Sequence, residues 1–203
     1  MPFLEPVTLR GAIVTLEPLS EDHHDGLVAA SQDGRLSELW YTSVPAPDAM
    51  HAEITRRLGL LVEQRMLPFA VRRNDTGAIC GMTTYMHADA ANKRVEIGST
   101  WTAASSQRTG VNTESKLLLL THAFEELGCI AVEFRTHWMN HASRAAIARL
   151  GAKQDGVLRN HRRMSDGTLR DTVVFSIIES EWPTVKRALR HKLHVHAAPT
   201  AAG

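Results

Sequence analysis

Several features that would narrow a chain to a special compartment or chemistry are scarce or absent here. The 203 residues include two cysteines, Cys80 and Cys129, each set among apolar residues in strand-like surroundings. Two such thiols make no disulfide framework and read as small buried core residues of a reduced protein. No apolar run approaches the length of a membrane span, the stretch Leu117–Leu120 being typical. The opening Met1-Pro2-Phe3-Leu4-Glu5-Pro6 lacks the basic and apolar regions of a signal peptide. Net charge is only +1, so no global field points to nucleic acid or a membrane surface. There is no internal repeat and no Gly-x-Ser-x-Gly elbow. No cysteine stands in a pattern that would pair it with a histidine as a nucleophile. Tyrosine occurs only twice, never beyond Tyr85. The expectation is one soluble, cytoplasmic domain with enough apolar residues for a real core.

What is present is a mixture of strand and helix patterns. Val7–Leu19 reads as a strand broken by Gly11, and Ser20 as the N-cap of a helix to about Ser31. Asp48 is expected to cap a helix His51–Met66 with Ile54, Leu58, Leu61 and Val62 on its inner face. Pro68–Arg73 and Ala78–His87 form a hairpin around the Asn74–Gly77 turn. A strand about Glu96 follows, then a helix Val111–Leu127 with Leu117, Leu120, Phe124 and Leu127 on one face and Gly128 as its stop. Ile130–His137 alternates as a strand, Asn140 caps a helix closed by Gly151, two strands flank Ser165-Asp166-Gly167, and a last helix starts near Glu179. From about His194 the chain has no packing pattern and should fray. These elements predict an α+β fold, a mixed but mostly antiparallel sheet of about seven strands with helices on both faces. The domain is expected over residues 1–183, with a helix end and flexible tail over 184–203.

The most informative segment is Ser105-Ser106-Gln107-Arg108-Thr109-Gly110-Val111-Asn112-Thr113, between a strand and the strongest helix. A polar, glycine-containing turn that opens a helix leaves backbone N–H groups unpaired, and with the helix dipole they form an anion site, most often for phosphate. Gly110 is expected where the chain approaches phosphate closely or takes a positive φ, at the surface, so that a valine there would weaken binding and spare the fold.

The order of elements, with Gln107-x-x-Gly110-x-Asn112, Asn140-x-x-Ser143 and Leu150-Gly151-Ala152 in place, resembles the GNAT superfamily of N-acetyltransferases. More narrowly it resembles the ribosomal-protein-type (RimJ/RimL-like) branch, over roughly Val7 to Trp182. The resemblance implies an acetyl-CoA-dependent acyltransferase with acetyl-CoA as co-substrate and no metal. It implies that Gln107, Arg108, Thr109, Gly110, Val111, Asn112 and Thr113 hold the pyrophosphate. Asn112 departs from the small residue usual at its position, and Asn tolerates unusual backbone angles while capping well. Trp101 and Thr102, at the end of the preceding strand, would polarise the thioester carbonyl through backbone N–H groups. Asn140 and Ser143 would contact the pantetheine arm. An amine of pKa about 8 to 10 needs a base before it can attack, and Glu96 is the base candidate by its place on the strand. Ser143 is the acid candidate for the leaving thiolate, because the tyrosine many relatives use there is missing. Each has a plainer reading, Glu96 as a solvated strand carboxylate and Ser143 as a first-turn helix residue.

The implied acceptor is a primary amine, either a protein N-terminus or a small molecule, with Trp40 and Tyr41 in the linker between the first two helices as candidate lining. Neither direct nucleic-acid binding nor membrane association is expected, and a homodimer is left open. Eleven histidines offer no metal-ligand spacing. His23-His24 are adjacent, His137 and His141 straddle a strand-to-helix turn, and His194-x-His196 lies in the tail. The run Arg159-Asn160-His161-Arg162-Arg163 reads either as a solvated hairpin edge or as a cationic rim for an acidic acceptor or the cofactor's phosphates. A second function class also fits: a silent acyl-CoA-binding or sensing domain that keeps the loop without the chemistry.

Overall fold

The computed structural model describes residues 3–42 and 44–197. Its strands are β1 (Leu9–Arg10), β2 (Val14–Pro18), β3 (Met66–Arg73), β4 (Ile79–Asp89), β5 (Arg94–Thr102), β6 (Ala131–His137), β7 (Lys153–Arg163) and β8 (Leu169–Ile178). They form one sheet in the order β1-β2-β3-β4-β5-β6-β8-β7. Every neighbouring pair is antiparallel except β5 and β6. The helices are α1 (His24–Gln32), α2 (Met50–Val62), α3 (Gly110–Thr121), α4 (His141–Leu150) and α5 (Trp182–Ala197). The mostly antiparallel α+β architecture expected from the sequence is what forms, with eight strands among the described residues. The additional strand arises at Gly11, where the segment read as one strand folds back into the β1–β2 hairpin.

Local chemistry explains most element ends. Ser20 precedes a 3₁₀ turn, Glu21–His23, that leads into α1. Asn140 Oδ1 accepts the Ser143 N–H at 2.9 Å to start α4, and Gly128 and Gly151 take the left-handed φ that stops a helix. The second helix differs from expectation. Asp48 lies inside a 3₁₀ turn (Pro47–Ala49) and makes no cap, and α2 ends at Val62, so that Met66 already belongs to β3. Val62 is 82% exposed, while Arg57 is buried, its Nε on Glu53 at 2.7 Å and its Nη1 on the Thr84 hydroxyl at 2.6 Å. The expected face was one turn too long. α3 passes into a π-helical turn at His122–Glu126 and is buried over a wide arc that includes Glu114 and Lys116, because it packs on α5 as well as on β1 and β2. α5 crosses the boundary expected at residue 183 and stays helical to Ala197, with Val185 and Leu189 buried. Residues 198–203 lie outside the described residues. Cys80 and Cys129 are free and buried, and burial pushes the Cys129 thiol up to about 11.

α1 and α2 pack on β4 and β3. On that same face, β6 and β8 present Glu133, Arg135, His137 and their cross-strand partners Ser176, Val174 and Thr172. On the other face α3 meets the sheet through Tyr85, whose hydroxyl donates to the Leu119 carbonyl, and Val132, Phe134, Val173 and Ile177 form the core. Among the described residues no helix is long and apolar enough to cross a membrane.

Candidate active site

The parallel pair β5–β6 is paired only from Arg94–Ala131 to Glu96–Glu133. Beyond that point β5 continues to Thr102 beside β4 alone, and β6 continues to His137 beside β8 alone. The two strands therefore part directly after Glu96 and leave a wedge with one-sided backbone on each wall. β5 also carries a bulge: Gly98 pairs with Thr84 but Trp101 pairs with Met82, and the extra residue Ser99 has φ +46°. Bulges beside a site re-aim backbone groups out of the ladder, and here the re-aimed segment, Gly98–Trp101, lines the wedge.

At the outer end of β5 the chain turns through Ala104–Ser106 into α3. Gln107 Nε2 donates to the Thr102 carbonyl at 3.0 Å and closes this turn. Thr109 is the N-cap: its Oγ1 accepts the Val111 N–H at 3.2 Å and donates to the Ser106 carbonyl at 2.7 Å. Among the described residues no acceptor meets the amides of Arg108, Gly110 or Asn112. The start of α3 thus offers several free N–H groups and the positive end of its dipole. The residue with a left-handed φ is Arg108, at +60°, and not Gly110. Gly110 is buried, and a Cβ there would overlap Ile13 Cδ1. Gly110 therefore packs α3 against the first hairpin and lies buried, where a surface position was expected, and a larger side chain there would have to displace the end of Ile13. A second tie fixes α3: the Glu114 carboxylate accepts the N–H groups of Ala12, Ile13 and Val14 at 3.0, 2.6 and 2.7 Å.

Glu96 sits at the floor of the wedge and is 6% exposed. Its Oε2 lies 2.8 Å from His87 Nδ1 and 3.4 Å from Arg135 Nε. Gly98 keeps the space above the carboxylate open, since a Cβ there would stand 2.9 Å from Glu96 Oε1. His87, Glu96, Glu133 and Arg135 line a cavity of about 130 Å³. A larger one, about 610 Å³, lies between α4 and α5 and contains none of these groups. Residues His87 and Arg135 were not singled out from sequence. The signal available was the alternation Glu133, Arg135, His137, which puts all three on one strand face.

Lys116 was also missed. It is buried on α3, and its Nζ donates to Thr83 Oγ1 at 3.0 Å and to Thr100 Oγ1, inside the β5 bulge, at 2.7 Å. Burial pulls this amine down to about 7.

The remaining candidates separate. Trp101 is buried, with its indole N–H lacking a partner among the described residues, while Thr102 is half-buried at the mouth of the wedge. Asn140 commits Oδ1 to the cap of α4, and Ser143 lies half-buried in its first turn. Trp40 is 60% exposed, yet its ring meets Tyr41 at 5.6 Å and His137 at 5.2 Å, so the α1–α2 linker reaches the end of β6. His137 Nδ1 accepts the Met139 N–H at 3.0 Å, and burial, with Arg170 adding, holds its imidazole below the usual value. No cluster suited to a metal ion occurs among the described residues.

The family model for the acetyltransferase (GNAT) domain matches residues 14–153. The Bacillus subtilis (strain 168) protein named "Putative ribosomal N-acetyltransferase YdaF" is 33% identical over 106 residues, 52% of this chain and 57% of that protein. The match therefore spans little more than half of YdaF. The crystal structure of a GCN5-related N-acetyltransferase from Brucella melitensis is 33% identical, with a TM-score of 0.83 over 98% of this chain and 88% of that one. Mycobacterium smegmatis RimJ, solved in complex with CoA-disulfide, shares the fold at 22% identity, with a TM-score of 0.75 over 92% of this chain and 93% of RimJ.

Proposed function

Because this chain belongs to the GNAT acetyltransferase family, we propose that it moves an acetyl group from acetyl-CoA to a primary amine by direct attack in a ternary complex, in the cytoplasm. The amine is a protein N-terminus, as the name of YdaF suggests, or a small molecule. The observation that carries this reading is the parting of β5 from β6 directly after Glu96, with free amides at one end of the opening and a buried carboxylate at the other.

The chemistry follows from the groups available. The amides of Arg108, Gly110 and Asn112 and the α3 dipole suit a pyrophosphate, and RimJ in complex with CoA-disulfide shares this fold. The one-sided backbone N–H groups of β5, around Trp101 and Thr102, suit the thioester carbonyl, where negative charge grows as nitrogen attacks. Glu96 takes a proton from the acceptor's ammonium, directly or through one water, freeing the amine that attacks, and His87, half exposed and 2.8 Å away, offers that proton a way out to solvent. When the C–S bond breaks the thiolate takes a proton from the Ser143 hydroxyl or from water, and the proton shed by the nitrogen as it becomes an amide replaces the one given up. Tyr85 plays no such part, since its hydroxyl is buried and donates to the Leu119 carbonyl. No step needs a protein acyl intermediate, and both cysteines are buried.

Initial rates of thiol release with both substrates varied, after a screen of peptides, amino acids, polyamines and aminoglycosides, test the reading. Intersecting lines are expected. Parallel lines, or acetyl trapped on Cys80 or Cys129 after mixing with acetyl-CoA alone, overturn direct attack. If acetyl-CoA raises the melting temperature while no amine speeds thiol release, the chain is a binding module instead.

A further inference from the structure

Beyond the wedge, the uncovered shelf formed by β6, β8 and β7 carries a group of cations that the chemistry above leaves unused. Arg162 on β7 stands directly opposite Arg170 on β8, an arrangement in which like charges repel. Among the described residues neither has a carboxylate partner; Arg170 Nε reaches only the Thr172 hydroxyl, at 3.1 Å. Arg170 is half-buried, and burial, with Arg162 adding, holds its guanidinium below the usual value. His161 joins them. β7 bulges between Leu158 and Arg162, Asn160 takes φ +49°, and its N–H is held by Asp171 Oδ1 at 2.7 Å. That bulge turns His161 so that Nδ1 lies 3.0 Å from Thr172 Oγ1, and Thr172 is the register partner of His137 on β6. Arg135, from β6, completes the group: its buried Nε has no hydrogen-bond partner among the described residues and lies 3.4 Å from Glu96.

Two carboxylates face this group. Glu133 is taken up by Arg94 at 2.5 Å and Arg135 at 3.0 Å, and Glu96 is the proposed base. Asp171, beside the bulge, is paired with Arg159 at 2.5 Å. Among the described residues Arg162 and Arg170 therefore have no carboxylate in ion-pair contact, and Arg135, 3.4 Å from Glu96, joins this shelf to the floor of the wedge. A half-buried guanidinium, Arg170, facing a second cation with no counter-ion does not add stability, because its desolvation and the like-charge repulsion are both costly. The planar forks match a carboxylate or phosphate held bidentately.

We infer that the acceptor is an anionic amine, with its amino group at Glu96 and a carboxylate or phosphate near that amine held by Arg162, Arg170 and His161. The inference rests on the acetyltransferase reading and narrows its acceptor. The same chemistry is offered by a chain beginning with Asp, Glu or a phosphorylated residue and by a free acidic amino acid.

Binding and turnover test it separately. Peptides beginning Asp or phosphoserine are compared with the uncharged Asn and Ser peptides, and free aspartate with asparagine, first by calorimetry on the protein saturated with CoA. The anionic member of at least one pair should bind ten-fold or more tightly, and the pair that shows it identifies a chain terminus or a free amino acid as the source. Arg162→Gln, at an exposed position, should collapse that ratio, and Arg170→Glu should reverse it toward a Lys-initiated peptide; circular dichroism confirms that both variants fold. With acetyl-CoA, the preference should appear in KM more than in kcat. Equal binding of the charged and neutral members of every pair, or a ratio untouched by Arg162→Gln, overturns the inference while leaving the acetyltransferase reading intact. Selective binding with no turnover of any amine overturns the acetyltransferase reading instead.

Discussion

The two ends of the wedge are made of different materials. At the start of α3 the outward groups are backbone amides from one short segment, Gln107–Asn112, whose side chains mainly close the turn or cap the helix. At Glu96 the groups are side chains from β4, β5 and β6, joined at the shelf by β7, β8 and the α1–α2 linker. The first end depends on backbone placement and tolerates side-chain change. The second depends on single atoms delivered by strand register, and small changes there alter chemistry without altering the fold.

Substitutions can break or sharpen this contrast. The largest effect is expected from Glu114→Ala, which acts on the backbone end from beneath. It removes the acceptor of three N–H groups and should cost about 3 kcal/mol of stability, read by urea unfolding, and weaken acetyl-CoA binding because α3 loses its tie to the first hairpin. Lys116 comes next. Its folded value of about 7 lies below the unfolded 10.5, so in that interval the unfolded chain holds the extra proton. Stability should therefore rise as pH increases from 7, and the full penalty should persist below 7. Relative to Lys116→Met, the parent should gain about 2 kcal/mol between pH 7 and pH 9; a parallel pair of stability curves would refute a buried neutralising amine. His87→Ala should slow turnover by less than ten-fold, under about 1.4 kcal/mol, because water can replace a proton route but not the base. The smallest effect belongs to Arg108. Its alanine variant should lose about 1 kcal/mol or less of acetyl-CoA affinity, as an exposed and screened cation, and Arg108→Gly should melt slightly higher, since glycine takes φ +60° without strain.

The same contrast governs what could be read from sequence. The turn at Gln107–Asn112, the cap at Asn140, the stops at Gly128 and Gly151 and the succession of elements along the chain follow from local chemistry, and each forms where those residues predict. The break read at Gly11 becomes a hairpin turn, whereas the end of α2 and the burial of Arg57 do not follow from local chemistry, because they depend on what packs against them. Glu96 could be located by its place before the loop. Its partner His87 could not, since it occupies an irregular position, with φ +47°, that no period-two pattern reveals. Lys116, among leucines, looks like the outward face of a helix until α5 and β4 are in place. Gly110 shows the converse: a glycine in a loop motif suggests a surface position or a positive φ, and it is instead buried against Ile13 with an ordinary φ.

Glu96→Gln is the most direct test, with thiol release and acetyl-CoA calorimetry measured on the same preparation. The expected result is a kcat lowered ten-fold or more, at least about 1.4 kcal/mol of lost transition-state stabilisation, with acetyl-CoA affinity unchanged because the amides at α3 are untouched. An unchanged kcat with the best amine acceptor would contradict the assignment of Glu96 as base.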